Sequence, residues 1–240
     1  MKIDPEKCIA CLECVDFCTM NCMLEKNGIV HIDQDECVEC GVCLRANVCP
    51  VDAIYMPEES RRFPRSIRAA FSDPGVEHPG LAQGGRGTEE MKTNDVTGRY
   101  RRGEYGMALE FGRPGTGTRL SEIQKVTTAL RSMNIEIEAA NPVFHLLADP
   151  EKGILKPEVL QEKVLSAIVE FKIKEDQLEE VVRGLKPVLQ QVDTVVSWGL
   201  ATRFAEDGTL PVREKLKKIG VSAQPNAKIN MGLGRPIVEK

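Results

Sequence analysis

Cys8-Ile-Ala-Cys11-Leu-Glu-Cys14-Val-Asp-Phe-Cys18 and, further on, Cys37-Val-Glu-Cys40-Gly-Val-Cys43 with Cys49-Pro50 after five more residues decide how this chain is read. Each run sets three thiols at successive two-residue gaps. A short loop carrying such a ladder can bend around a cube and aim three thiolates at three iron corners of one [4Fe–4S] cluster. The fourth corner then takes a thiolate from elsewhere, in two-cluster proteins from the other run. Structural zinc favours separated C-x2-C pairs and leaves the third rung of the ladder without a use. A disulfide framework would spread its cysteines through the fold that it staples, and it needs an oxidising compartment. Here all nine cysteines lie between Cys8 and Cys49 of a 240-residue chain.

The two runs resemble the bacterial-type 2[4Fe–4S] ferredoxins, and the match spans about residues 1–56. The resemblance implies the family's crossing pattern. Cysteines 8, 11, 14 and 49 (Cys8, Cys11, Cys14, Cys49) would hold one cluster, and Cys18, Cys37, Cys40 and Cys43 the other. It also implies a strand–turn–strand over Met23–Asp33 and a closing strand over Val51–Tyr55. Thr19 stands after Cys18 where the family usually has proline, and the second run carries two extra residues before Cys49. Cys22 is a ninth thiol. It is read as a packed free thiol, with replacement of Cys18 as a ligand as the sharper reading. His31 is expected on a strand facing solvent.

Charge divides the chain along the same line. Residues 1–56 carry 4 Lys/Arg against 10 Asp/Glu, residues 57–119 carry 11 against 9, and residues 120–240 carry 17 of each. The acidic head disfavours adding an electron to a cluster, and its carboxylates either offer a surface to a basic partner or simply keep the module in solution. Aromatic residues are only 5%, which argues against a base- or sugar-stacking surface. No apolar run approaches the roughly 20 residues that span a bilayer, and the start lacks the pattern of a secretion signal. A cytoplasmic location is expected, with no membrane and no nucleic acid among the partners. The oxygen sensitivity of such clusters favours an anaerobic setting.

Residues 57–105 are rich in Gly, Pro and Arg and read as an extended linker or arm, relieved by a short helix near Ser66 to Phe71. Residues 106–240 read as an α+β domain. Met107–Phe111 is expected as a strand, and Leu120, Ile123, Val126 and Leu130 recur at helical spacing. A second strand is expected over 134–138, a third over 164–173, a helix over 175–191, a strand over 193–203 and a short helix over 212–219. Ser121 and Gln124 read as a capping box. Strand–helix–strand twice over suggests a ferredoxin-like or ACT-like sandwich. The fold class is therefore α+β: a dicluster ferredoxin head, an irregular linker and an α+β tail.

The loop Gly112–Arg119 lies between a strand and a helix, where backbone amides and the helix dipole suit an anion. Arg113, Arg119, Lys228 and Arg235 form a candidate anion site, linked by the repeated tripeptide Gly-Arg-Pro at 112 and 234. Arg86, Lys92, Arg99, Arg101 and Arg102 are further basic candidates in the linker. No nucleophile–base–acid set stands out; His78 and His145 are isolated, and Trp198 reads as core. The functional expectation is a carrier of low-potential electrons through two [4Fe–4S] clusters, working with a redox partner protein or as a subunit of a larger oxidoreductase, or assembling with itself. It reads as an electron-transfer subunit more than as a catalyst alone. The alternative is a small reductase or redox-regulated sensor whose tail binds an anionic small molecule.

Overall fold

The computed structural model describes residues 1–78, 98–113 and 115–225. In the head, β1 (Lys2–Ile3) pairs antiparallel with β4 (Ile54–Tyr55), drawing the two ends of the cysteine segment together. Between them, β2 (Met23–Lys26) and β3 (Ile29–Ile32) form a hairpin whose turn is Asn27-Gly28, at φ 57° and 79°. Both turn residues are left-handed, as the tight turn that matches strand twist requires, and Asn-Gly is the dipeptide that reaches it at least cost. His31 is exposed on β3, as expected. A single helical turn, α1 (Val42–Arg45), carries the last cysteine of the second run, Cys43. The head core is small: Met1, Met23, Val30, Ile32 and Ile54 pack with Cys14, Cys22, Cys37 and Cys43.

The expected short helix is α2 (Ser66–Ser72), and it is buried from Ile67 to Ser72. Ile67, Ala70 and Phe71 belong to the tail's hydrophobic core. The first part of the stretch read as a linker is thus a wedge between head and tail. Residues 79–97, with Arg86 and Lys92, lie outside the described residues.

The tail is built on a three-stranded antiparallel sheet. Strand β5 (Glu104–Phe111) is central, flanked by β10 (Ala167–Lys174) and β11 (Val196–Ala201), while β6 (Thr118–Arg119) pairs with β9 (Lys163–Val164) and β7 (Leu147–Asp149) with β8 (Ile154–Leu155). Tyr105, Met107, Leu109 and Phe111 alternate inward, as do Ala167, Val169, Phe171 and Ile173. That is the period of two expected of a sheet with one packed face. Helices α3 (Leu120–Ser132) and α4 (Leu178–Leu189) pack against each other and bury Leu120, Ile123, Val126, Leu130, Leu178, Val181, Val182 and Leu185 in the same core. Trp198 packs at the core's edge, its indole N–H 3.4 Å from Met107 Sδ. Helix α5 (Val212–Lys218) closes the described tail. Among the described residues no helix is long and apolar enough to cross a membrane.

Several elements differ from the sequence reading. The strand expected over 134–138 is a single bridge, Ile137 to Phe171. Asn134 turns left-handed at φ 57°, and beyond the 2.8 Å bond from Glu138 N to Glu170 O the chain folds away into a turn. The strand expected over 164–173 is broken. Lys163–Val164 pairs with Thr118–Arg119, Leu165 N donates to Ser72 Oγ at 2.9 Å, and β10 starts only at Ala167. Residues 175–177 form a 3-10 turn ahead of α4. The capping box does not form. Helix α3 starts at Leu120 without a side-chain cap, and Gln124 Oε1 instead accepts from Leu155 N at 2.9 Å.

Candidate metal centre

The two cysteine runs share one backbone design. Residues two and four after the first cysteine of each run are left-handed: Ala10 and Leu12 at φ 52° and 67°, Glu39 and Gly41 at 55° and 68°. Three residues after Cys18 and after Cys49 the chain is left-handed again, at Asn21 (51°) and Asp52 (49°). Leucine and alanine pay about 1–3 kcal/mol for such φ values and keep them only where surroundings over-determine them. Here the consequence is a loop curled around an interior space.

The hydrogen bonds repeat in step. Cys8 N donates to Asp4 O at 3.1 Å and Cys37 N to Asp33 O at 2.9 Å. Asp4 N meets Ala53 O and Asp33 N meets Cys22 O, both at 2.8 Å. Cys22 N lies 3.3 Å from Cys18 Sγ, and Ala53 N 3.2 Å from Cys49 Sγ. By this correspondence Cys22 takes the place that Ala53 holds in the other half, and both are buried. The head is an internal duplication. Its signal in the sequence is Ile3-Asp4 four residues before Cys8 and Ile32-Asp33 four before Cys37, a repeat that the cysteine spacing alone does not display.

Each half borrows its last cysteine from the other. Cys8, Cys11, Cys14 and Cys49 line one cavity of about 310 Å³, partly open to solvent, with Ile3, Ile9, Leu12, Val30 and Ile54 around them. Cys18, Cys37, Cys40 and Cys43 line a second of about 290 Å³, with Cys22, Met1, Phe17 and Met20. Among the described residues no three His, Cys, Asp or Glu side chains converge closely enough for a single metal ion. Around each cavity four of the thiols line a shared space. A mononuclear zinc needs sulfurs at about 2.3 Å from one point, whereas a cube takes its thiolates at separated corners. The donor set and its spacing therefore fit an iron–sulfur cluster.

Burial and neighbours set the thiols' character. Burial pushes Cys14 up and Cys43 up to about 12. Cys22 hydrogen-bonds to both Cys18 and Cys37, lying 3.4 Å from Cys18 Sγ; this lowers those two to about 6 and raises Cys22 itself. Thr19 Oγ1 lies 3.2 Å from Cys40 Sγ, so the residue that replaces the family's proline puts a hydroxyl on a candidate ligand.

The second half is gripped from outside. Glu39, fully buried, accepts from Arg65 at 2.8 Å and Ser60 at 3.1 Å and pairs with the Met1 ammonium. Burial works against its ionisation, yet these cations hold its carboxyl below the usual range. Arg68 donates to the carbonyls of Gln34, Asp35 and Cys37 at 2.8–3.1 Å and pairs with Glu162. Lys163 pairs with Glu36, and Arg45 with Asp73.

The candidate anion site is differently placed. Arg113 donates to Glu110 at 2.9 Å, and Arg119 to Gln161 O at 2.8 Å, with Glu36 at 3.6 Å. Lys228 and Arg235 lie outside the described residues. The glycine loop itself abuts the second cavity. A Cβ on Gly115 would stand 3.3 Å from Thr19 O, and one on Gly117 only 2.8 Å from Met20 Cε. Sequence reasoning also leaves His78 and His145 apart, but their rings lie 6.2 Å centre to centre.

No family model matches the chain, and no solved structure matches it. Curated proteins do. The chain is 39% identical over 76 residues to a ferredoxin of Saccharopolyspora erythraea, covering 29% of this chain and 70% of that protein. It is 38% identical over 72 residues to "Ferredoxin 7Fe" of Hydrogenibacillus schlegelii, covering 28% and 90%. Over 57 residues it is 42% identical to the pyruvate synthase subunit PorD of Methanothermobacter marburgensis, covering 24% and 64%. The duplicated cysteine loops and these likenesses meet in one conclusion: through its cysteine-rich head, this chain belongs to the ferredoxins, and its role is iron–sulfur electron transfer.

Proposed function

We propose that the head holds two [4Fe–4S] clusters, one on Cys8, Cys11, Cys14 and Cys49 and one on Cys18, Cys37, Cys40 and Cys43. The chain would pass low-potential electrons through them to or from a larger oxidoreductase. The crossed lining of the two cavities carries this reading, since each collects three thiols of one run and the last thiol of the other. Each cluster, when bound, takes up and gives back one electron. The protein's part is to hold eight thiolates at separated corners, to exclude water with Ile3, Val30, Ile54, Met1 and Met20, and to aim amide N–H groups at the sulfurs. Val30 N lies 3.5 Å from Cys8 Sγ, for example. Hydrogen bonds and charge near the sulfurs set the potential, and the head's excess of carboxylates pulls it down. Similarity to a pyruvate synthase subunit supports work inside an oxidoreductase complex.

The tail reads as a ferredoxin-like or ACT-like sandwich. Taken with the Ile137 bridge, its sheet runs β11, β5, β10, then the reduced second strand. The anion-binding alternative finds Arg113 and Arg119 already engaged by acidic and carbonyl partners.

Cys11→Ser and Cys40→Ser test the ligand sets. Each variant should keep about half of the iron of the parent, with a different half of the visible and paramagnetic signal lost. Full iron in either variant contradicts the assignment.

A further inference from the structure

The internal duplication allows each position of one half to be compared with its counterpart. The two halves match in backbone but not in cover. Val38 is 1% exposed, while its counterpart Ile9 is 61% exposed. Gly41 is buried under Arg45 and Asp73, so closely that a Cβ there would come 2.6 Å from Arg45 Nη1; its counterpart Leu12 is 47% exposed. Cys40 is half-buried and Cys11 exposed. The second half is held by cations at and just before α2, Arg65 on Glu39 and Arg68 on the Cys37 carbonyl, while the apolar side of α2 (Ile67, Phe71) packs into the tail. The first half has no such hold, the counterpart of Glu39 being Ala10. Ile9 and Leu12 line the first cavity's mouth, and exposed carboxylates Glu6, Glu13 and Asp52 stand beside them against a single exposed Lys7.

We propose that the loop Ile9–Glu13 is the docking end of the molecule, taking a redox protein whose apolar edge is ringed by lysines or arginines. This rests on the electron-transfer reading above and adds the face through which electrons cross. One electron leaves the reduced head, which is oxidised by one unit, and the partner's acceptor is reduced by one; no proton or bond is exchanged. Charge complementarity of this kind acts mainly on the rate of encounter.

Cytochrome c serves as the probe, being a one-electron acceptor whose haem edge is ringed by lysines. The full-length chain is reduced anaerobically and mixed with ferric cytochrome c at several ionic strengths. Glu13→Lys should slow the second-order rate about tenfold at low salt and flatten its fall with salt. Glu158→Lys, an equal charge change at an exposed site on the tail, should change it less than twofold. Leu12→Ser should slow it at every ionic strength. Equal effects of the two lysine variants, or no effect of Glu13→Lys and Leu12→Ser, overturn the proposal. Iron content and the reduced spectrum are measured on each variant. A parent chain without clusters sinks the electron-transfer reading itself, whereas loaded variants with unaltered rates sink only the docking face. If Glu13→Lys loads poorly, Asp52→Lys carries the same expectation.

Discussion

Two side chains that line the second cavity, Thr19 and Cys22, break the duplication there. Once Cys40 binds iron as a thiolate it can only accept, so the Thr19 hydroxyl, 3.2 Å away, must donate. A donor on a ligand sulfur spreads negative charge that grows on reduction, and so favours the reduced state. Thr19→Val should therefore make the second cluster's midpoint potential more negative and leave the first unchanged, as read by EPR-monitored redox titration. An unchanged potential for both would show that this hydroxyl does not reach the cluster. Cys22 is the opposite case. It stands where the duplicate has Ala53, so Cys22→Ala puts the same residue at both positions. The variant should retain the parent's iron and sulfide, and loss of half the iron would make Cys22 a ligand. Locally its sulfur lies 3.4 Å from Cys18 Sγ, within hydrogen-bond reach.

Among the elements, α2 links the parts. Its apolar side belongs to the tail core and its Arg68 holds the second cysteine loop by three backbone carbonyls. Arg68→Ala leaves Glu162 without its cation and those carbonyls without donors, a buried-pair loss of about 3–5 kcal/mol. The expected result is faster loss of half the iron under mild denaturant, with the tail still folded. Phe71→Ala, also about 3–5 kcal/mol as a core truncation, should lower the tail's unfolding midpoint first. The same order of loss in both variants would contradict the division of labour. This helix also marks the boundary of what was legible. Ser66–Phe71 shows as a short apolar run, but nothing in it says that Arg68 reaches across to Cys37. The cysteine loops, β5, β10, α3 and α4 are legible because spacing and periodicity are local properties. The break at Leu165, the reduced strand at Ile137 and the unused capping pair Ser121/Gln124 are not, because partners distant in sequence, such as Ser72, Glu170 and Leu155, decide them.

At the scale of the whole molecule, two cores of unequal size are joined. The tail buries two helices on a sheet, whereas the head packs a few aliphatic side chains around thiols. A site whose ligands meet only in the folded state ties metal binding to folding. Stripping the iron with acid and chelator should let amides of residues 1–56 exchange freely in hydrogen exchange while β5, β10, α3 and α4 stay protected; protection kept in the metal-free head would break that link. The most direct test is the iron and acid-labile sulfide content of anaerobically purified full-length chain, with the EPR spectrum of its reduced form. About eight irons and eight sulfides per chain, with the signal of two interacting reduced clusters, is the predicted result. About four or seven irons, or zinc in place of iron, would contradict it.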